Sequence, residues 1–470
     1  MAGKGLGGRI GRGTRLARTG VRGAAGLAGS RARAWRDGSE PDDEAAHRAI
    51  ALHLAETLGD MKGAAMKLGQ LLSFIDLDLP PEVRSVYHEA LAGLRDQAPS
   101  YDPASIAEVV REEYGAPPEA VFAEWDPEPL AAASIGQVHA ARTEDGRDVV
   151  VKVQYPGVAE AVRADLKNAE SFAPIARLVS PNQEVGPLLD ELRERIDDEL
   201  DYQREAQYQR AFADRYRDHP FIHVPDIVGD LCRGRVLVSE RAHGRRFDEV
   251  AANSSEAEQQ RVGEIIFRYA FGSMGRFRLF NGDPHPGNYL IEDGAAADGG
   301  PRVVFIDYGS VKMFSRERYS SMRRIERSVA LGDRDDTIDG LREAGFIPPG
   351  VAVDEERIYE WFRLYTRPVL PELQPFEFTP EFAGEVIRAS SDPRSQFGDA
   401  LRRLNMPPDY LLLNRIQWGL YSVLGRLGAV NDWRSIRDEY LSGAALPATE
   451  LGELDATWWA THGQNPDAAG

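Results

Sequence analysis

The sequence predicts an α+β chain in which a small sheet-forming region gives way to a long helical one, with a further helical layer ahead of both. Three observations predict it. Val149, Val151 and Val153 fall at alternate positions just after a Glu144-Asp145-Gly146 turn signal, as one face of a hairpin strand does. Beyond Gly309 the pattern is helical to about residue 445, with Leu411-Leu412-Leu413 and the stretch from Trp418 to Leu427 reading as buried helix. Residues 41–125 carry Ala and Leu at helical spacing, interrupted at Pro80-Pro81, Pro99, Pro103 and Pro117-Pro118. With 470 residues, 42% hydrophobic and 28% charged, the chain has room for two or more domains, and core size is not limiting.

Residues 1–40 form a basic arm expected to be disordered in water. Lys4 and the eight arginines from Arg9 to Arg36 meet no acid before Asp37. Those nine positive charges leave −28 for the remainder of a chain whose net charge is −19. Such a block suits either a solubilising tail or a contact with anionic membrane lipid, where each basic residue contributes roughly 1 kcal/mol. The acidic remainder argues against general nucleic-acid binding, which needs clustered Lys and Arg. The lone Cys232 excludes an intramolecular disulfide and fits a reducing compartment. No apolar run approaches the ~20 residues that span a bilayer, and the N-terminus lacks the apolar core of a secretory signal. The expected location is therefore cytoplasmic, with at most peripheral attachment at the inner face of the membrane.

Within residues 41–125, Gly63, Met66, Lys67 and Gln70 recur at three- and four-residue steps, so one helix face presents a small residue, a cation and an amide. Residues 126–242 form the small sheet region. It opens on Ala131-Ala132-Ala133-Ser134, and its valine strand carries Lys152 on the face opposite the valines. A lysine there is costly unless its charge is partnered, and a ligand phosphate with a helix carboxylate would serve. Two helices between residues 158 and 217 offer Glu199 and Glu205 as that carboxylate. The strand from Val236 to Arg241 ends before Gly244, a crossing where backbone groups near Glu240 can bond adenine. Residues 243–445 are the helical region, and the insert from Glu292 to Pro301 suits a flexible hairpin tip. The acidic tail, residues 446–470, is expected to be loose.

The chain is organised around Asn281 to Ser310. Asp283 and Asn288 stand five apart across a Pro-Gly loop that cannot be helical, and Asp307 ends a β-branched and aromatic strand. Either half alone could simply cap turns. Together they offer three oxygen-bearing side chains from adjacent loops, a set suited to Mg2+ carrying ATP. The same Asp-x4-Asn followed by Asp-aromatic-Gly occurs in protein kinases, where one Asp is the base and the Asn and second Asp hold metal.

With these pieces in this order, the sequence resembles the UbiB/AarF atypical kinase family over roughly residues 45 to 440. Lys67-Leu68-Gly69-Gln70 matches its Lys-x-Gly-Gln helix, and Ala131 to His139 its alanine-rich nucleotide loop. Val151-Lys152-Val153 looks like its nucleotide lysine strand, and Glu199-Leu200-Asp201 its Glu-x-Asp element. The resemblance implies a protein-kinase-like two-lobed fold, a small antiparallel-sheet lobe plus a helical lobe, behind the extra N-terminal helical layer. It further implies that Lys152 orients the ATP phosphates with help from Glu199 or Glu205, that Asn288 and Asp307 hold Mg2+, and that Asp283 sits where a base accepts a hydroxyl proton. Ala131, Ala132, Ala133 and Ser134 replace the glycine-rich loop of ordinary kinases, adding methyl groups where bare amides would approach phosphate. The family's N-terminal helix lies across the protein-substrate site, with Lys67 and Gln70 reaching inward, so protein phosphorylation is not expected.

The leading functional expectation is an Mg-ATP-dependent atypical kinase or ATPase supporting isoprenoid-lipid or quinone metabolism at a membrane surface, with an isoprenoid- or quinone-like small molecule as a candidate partner. Two alternatives stand beside it. One is an aminoglycoside- or choline-type phosphotransferase, which shares the Asp-x4-Asn loop but not the alanine loop. The other is a non-catalytic, nucleotide-gated lipid- or protein-binding module.

Overall fold

The computed structural model describes residues 102–170, 185–392, 394–441 and 445–462. Lys67, Gln70, the basic arm and most of the N-terminal helical layer lie outside the described residues. The described chain divides into two compact units. One holds residues up to Ala140 together with Lys152–Leu200, and the other holds Ala141–Val151 with the chain from Asp201 onward.

The first unit opens with α1, Pro103–Tyr114, which Asp102 caps by accepting from the Ala104 amide and which Gly115 ends at φ +73°. Strands β1 (Glu124–Ala132), β2 (Gly136–Arg142) and β3 (Asp148–Gln154) follow. They form a four-stranded sheet with β5 (Val236–Glu240) in the order β1-β2-β3-β5. The expected hairpin turn sits between β2 and β3, where Gly146 takes φ +87° and donates to the Thr143 carbonyl. Val149, Val151 and Val153 are fully buried, and Lys152 on the opposite face is half-buried. Helices α2 (Val158–Glu170) and α3 (Val185–Glu199) complete the described part of this unit.

The second unit begins with α4, Tyr202–Arg215, capped by Asp201, which accepts from the Gln203 and Arg204 amides. A second four-stranded sheet runs in the order β4-β9-β8-β6, built from Ile222–His223, Arg302–Phe305, Tyr289–Glu292 and Arg245–Arg246. Apart from two short two-stranded sheets, the longer elements that remain are helices, among them α5 (Glu256–Phe277), α6 (Arg316–Leu331), α7 (Glu355–Thr366), α8 (Pro380–Ser391), α9 (Pro408–Arg426), α10 (Trp433–Leu441) and α11 (Glu450–His462). Helix α5 runs through the core of this unit, burying Val262, Ile265, Ile266, Phe267 and Tyr269 against β9 and α9. The Tyr269 ring stacks on Phe305 at 3.6 Å between centroids. Leu420, Tyr421, Val423 and Leu424 bury the face of α9 that the sequence marks as core.

Two expectations change. The insert after Glu292 is the tip of the β8–β9 hairpin, but it is tethered: Arg261 grips both carboxylate oxygens of Asp298 at 2.8 and 2.9 Å, and Ala296 is buried. The tail expected to be loose instead carries α11. Its Asp455 is buried and accepts from His219 Nε2 at 2.9 Å and from Arg276 at 3.1 Å, while the Arg276 guanidinium lies 4.4 Å from the centre of the Trp459 ring. His219 Nδ1 accepts from the Ile222 amide, so the proton is on Nε2 and the buried ring is neutral, in line with the lowering that burial imposes on it.

Candidate active site

The loop from Asp283 to Asn288 hangs between two short strands. Before it, β7 (Leu279–Asn281) pairs antiparallel with β10 (Val311–Met313), Asn281 opposite Val311. At the strand's end the Gly282 amide donates to the Ser310 carbonyl at 2.5 Å, and a Cβ on Gly282 would lie 2.4 Å from that same oxygen. No other residue fits there. Pro284 and Pro286 bar an α-helix, and the loop instead makes one 3-10 turn, Pro286–Asn288, with its own bonds: the His285 amide to the Asp283 carbonyl, the Gly287 amide to His285 Nδ1, and the Asn288 amide to the His285 carbonyl.

Asn288 closes the loop on itself. Its Nδ2 donates to the Asp283 carbonyl at 2.9 Å and approaches the Asp283 carboxylate at 3.3 Å. With the nitrogen so used, the amide oxygen is the atom presented away from Asp283. Register brings the second loop alongside. Tyr289 of β8 pairs with Phe305 of β9, which sets Asn288 beside Ile306, and the Ile306 amide donates to the Asn288 carbonyl at 3.2 Å. The next residue is Asp307.

Asp307 is fixed by three neighbours. Asn281 Nδ2 donates to its carbonyl at 2.7 Å, the Gly309 amide donates to its Oδ1 at 2.9 Å, and Tyr308 is fully buried. The Tyr308 ring lies 5.1 Å from Phe212, and Tyr269 donates to its hydroxyl at 3.0 Å. Burial holds the Tyr308 phenol well above its ordinary range, so it stays neutral. Glu205 of α4, also buried, belongs to this cluster: a Cβ on Gly309 would lie 3.4 Å from Asp307 Oδ1 and 3.6 Å from Glu205 Oε2.

Of the remaining candidates, Ala131 to Ser134, Lys152 and Glu199 lie in the first unit and Glu240 in the second. Ala131 and Ala132 end β1 exposed, and Ala133 begins a turn closed by its amide donating to the Gly136 carbonyl at 2.7 Å. Ser134 follows, and its hydroxyl donates to Glu199 Oε1 at 2.8 Å. The two candidate carboxylates thus have different neighbours, Glu199 on the alanine loop and Glu205 on the Asp307 turn. The Glu-x-Asp element also divides: Glu199 ends α3, and Asp201 caps α4. At the end of β5 the Glu240 amide donates to the Asp226 carbonyl at 2.8 Å, and the Asp226 amide donates back to the Glu240 carboxylate at 3.1 Å.

Sequence reasoning missed two contributors. Asn281 lay inside the stretch it singled out, but nothing in its spacing marked it as the clamp on Asp307. His223 has no motif at all, yet it lies between Glu240 and Glu292, 3.3 Å from each.

Among the described residues, His, Cys, Asp and Glu form no group of three or more that could hold a metal. A protein cage for zinc or calcium is therefore not formed by them. Asn288 and Asp307 are hard oxygen donors on touching loops, which fits Mg2+, an ion that takes few protein ligands and completes its shell with water and phosphate. Among the described residues, no helix is long and apolar enough to cross a membrane.

Residues 93–339 match the ABC1 atypical kinase-like domain. The mitochondrial atypical kinase COQ8B of Rattus norvegicus is 31% identical over 300 residues, 64% of this chain and 55% of its own length. The probable protein kinase UbiB of Pseudomonas putida is 32% identical over 316 residues, 66% of this chain and 56% of its own. The chain thus spans just over half the length of these curated relatives. A solved structure, the complex of Rv3197 with erythromycin from Mycobacterium tuberculosis, is similar at a TM-score of 0.60 and 31% identity, covering 85% of this chain and 97% of that one. The fold, a sheet lobe followed by a helical lobe, is kinase-like, and the chain belongs to the ABC1/UbiB atypical kinase family.

Proposed function

We propose that this chain binds Mg-ATP and uses it as an atypical kinase or ATPase at a membrane surface, in support of isoprenoid-lipid or quinone metabolism. The observation that carries the reading is the junction of the two loops, where Asn288 bonds Asp283 through its side chain and the Ile306 amide through its carbonyl, with Asp307 next in sequence. Family membership supports it.

In this reading Asn288 and Asp307 hold Mg2+, which when bound neutralises charge on the phosphate oxygens. Lys152 supplies a fixed positive charge to the phosphates, and its place on a strand of fully buried valines keeps it from straying. Ala131 to Ser134 and the backbone at Glu240 take the nucleotide-binding roles that the family resemblance gives them. Asp283, held to Asn288, orients the hydroxyl of the acceptor or a water and takes its proton. The acceptor is a lipid or small molecule rather than a protein, and Lys67 and Gln70 take the catalytic part that the family resemblance gives them.

The test is phosphate release from Mg-ATP, with and without anionic liposomes, in the intact protein and in Asp307→Asn. Turnover that rises with lipid and disappears in the variant is the expected result. Turnover that survives the substitution would remove Asp307 from the reaction, and bound nucleotide without turnover in the intact protein would mean a nucleotide-gated binder.

A further inference from the structure

Helix α9 passes directly beneath the Asp283 loop. A Cβ on Gly419, in the middle of that helix, would lie 2.7 Å from Pro284 Cγ and 2.9 Å from the Pro284 carbonyl oxygen. Neither atom can swing aside, one being in a ring and the other in the main chain. Alanine is the better helix former, so a glycine within a helix calls for another reason, and this contact supplies it. Ile416, about one turn before it, and Leu420, the next residue, line a small cavity together with Asn281, Asp283 and Asn288. On its other flank the loop rests on Gly282, which touches Ser310 as closely.

We propose that Gly419 is a positioning residue for Asp283: its bare Cα sets how deep Pro284 seats on α9, and Pro284 carries Asp283 with it. The inference rests on the reading of Asp283 as the group that orients the attacking hydroxyl. A side chain at 419 would push Pro284 outward and turn Asp283 out of line, whereas Asn288 and Asp307, tied to β8 and β9, would keep their places.

The same helix provides its own control. A Cβ on Gly425 would meet the Thr379 carbonyl carbon and oxygen at 2.8 Å, an equally tight approach at the other end of the contact and away from the loop. Gly419→Ala and Gly425→Ala are compared by thermal midpoint, by kcat and KM for Mg-ATP, and by hydrogen exchange at the Asn288 amide, which donates to the His285 carbonyl. Both variants should lose thermal stability. Only Gly419→Ala should lose kcat, by roughly a hundredfold for a displacement near 1 Å, with KM changed far less, and only it should speed Asn288 exchange. Equal losses of kcat in the two variants, or an unchanged Asn288 amide in Gly419→Ala, would overturn the proposal. The exchange measurement needs no turnover, so an inactive wild type would defeat the reading of function while leaving this geometry open to test. If Gly419→Ala does not fold, Pro284→Ala takes its place. It removes the ring from α9 without adding an atom, and Asn288 exchange must rise with little change in thermal midpoint; unchanged exchange would again overturn the proposal.

Discussion

His223 shows how a single residue can tie the strand that ends at Glu240 to the hairpin that follows Asn288. Its Nε2 faces Glu240 and its Nδ1 faces Glu292, which Arg302 also holds, while the Asp226 amide donates to the same Glu240 oxygen that faces the ring. Burial disfavours the charged ring, but the hydrogen bonds to Glu240 and Glu292 outweigh it and push the imidazole up to about 9. Glu240 is lowered in turn, first by its bond from His223; Glu292 is lowered by His223 and Arg302 against its own burial. The raised histidine makes its full contribution below the unfolded value of about 6.5 and loses it as pH climbs through about 9. The lowered carboxylates contribute above their unfolded values and lose that contribution in acid. The gap in thermal midpoint between wild type and His223→Gln should therefore be widest near pH 5 to 6.5 and close toward pH 9; a gap independent of pH would show that the ring is not charged in the bridge. Residues of this kind were not legible in the sequence. Asp283, Asn288 and Asp307 stand out in the sequence because they recur at short spacings in adjacent loops. The bond from Ser134 to Glu199 joins residues 65 apart, and only the folded chain reveals which carboxylate the alanine loop holds.

At the scale of elements, α11 is where composition misled. Gly, Asn, Pro and acidic residues in the tail suggested a loose end, but Asp455, Trp458 and Trp459 share a helix that packs on residues far upstream. Asp455 and His219 are 236 residues apart, so no local pattern announces the pair. Replacing Asp455 by Ala strands a buried N–H of His219 and removes a carboxylate from Arg276, a change expected to cost about 3 kcal/mol. Asp455→Asn keeps an acceptor and should lose less. Denaturant unfolding measures both, and an unchanged midpoint in Asp455→Ala would mean that α11 adds nothing to the fold. The strand and helix cores were more readable. Val149, Val151 and Val153 came from period-two spacing, and the buried face of α9 from its run of Leu, Tyr and Val. Those signals are strong because burial on one face constrains every residue along it.

For the whole molecule, charge is divided between an acidic body and a basic arm. A body of about −28 repels anionic surfaces, while residues 1–36 carry all nine charges of the basic arm. If the arm brings the chain to anionic lipid, deleting residues 1–36 should abolish co-sedimentation with anionic liposomes at low salt, and undiminished co-sedimentation would rule the arm out. The kinase-like order of lobes was legible because the motifs fall in order along the chain. What the motifs did not carry was the support beneath them: Gly282 on Ser310, Gly419 under Pro284, Asn281 on the Asp307 carbonyl. If Asp307 holds magnesium for bound ATP, calorimetric titration of ATP with and without Mg2+ separates wild type from Asp307→Asn. Binding should be strengthened by Mg2+ in wild type and indifferent to Mg2+ in the variant. Equal, magnesium-dependent affinity in the two proteins would contradict it.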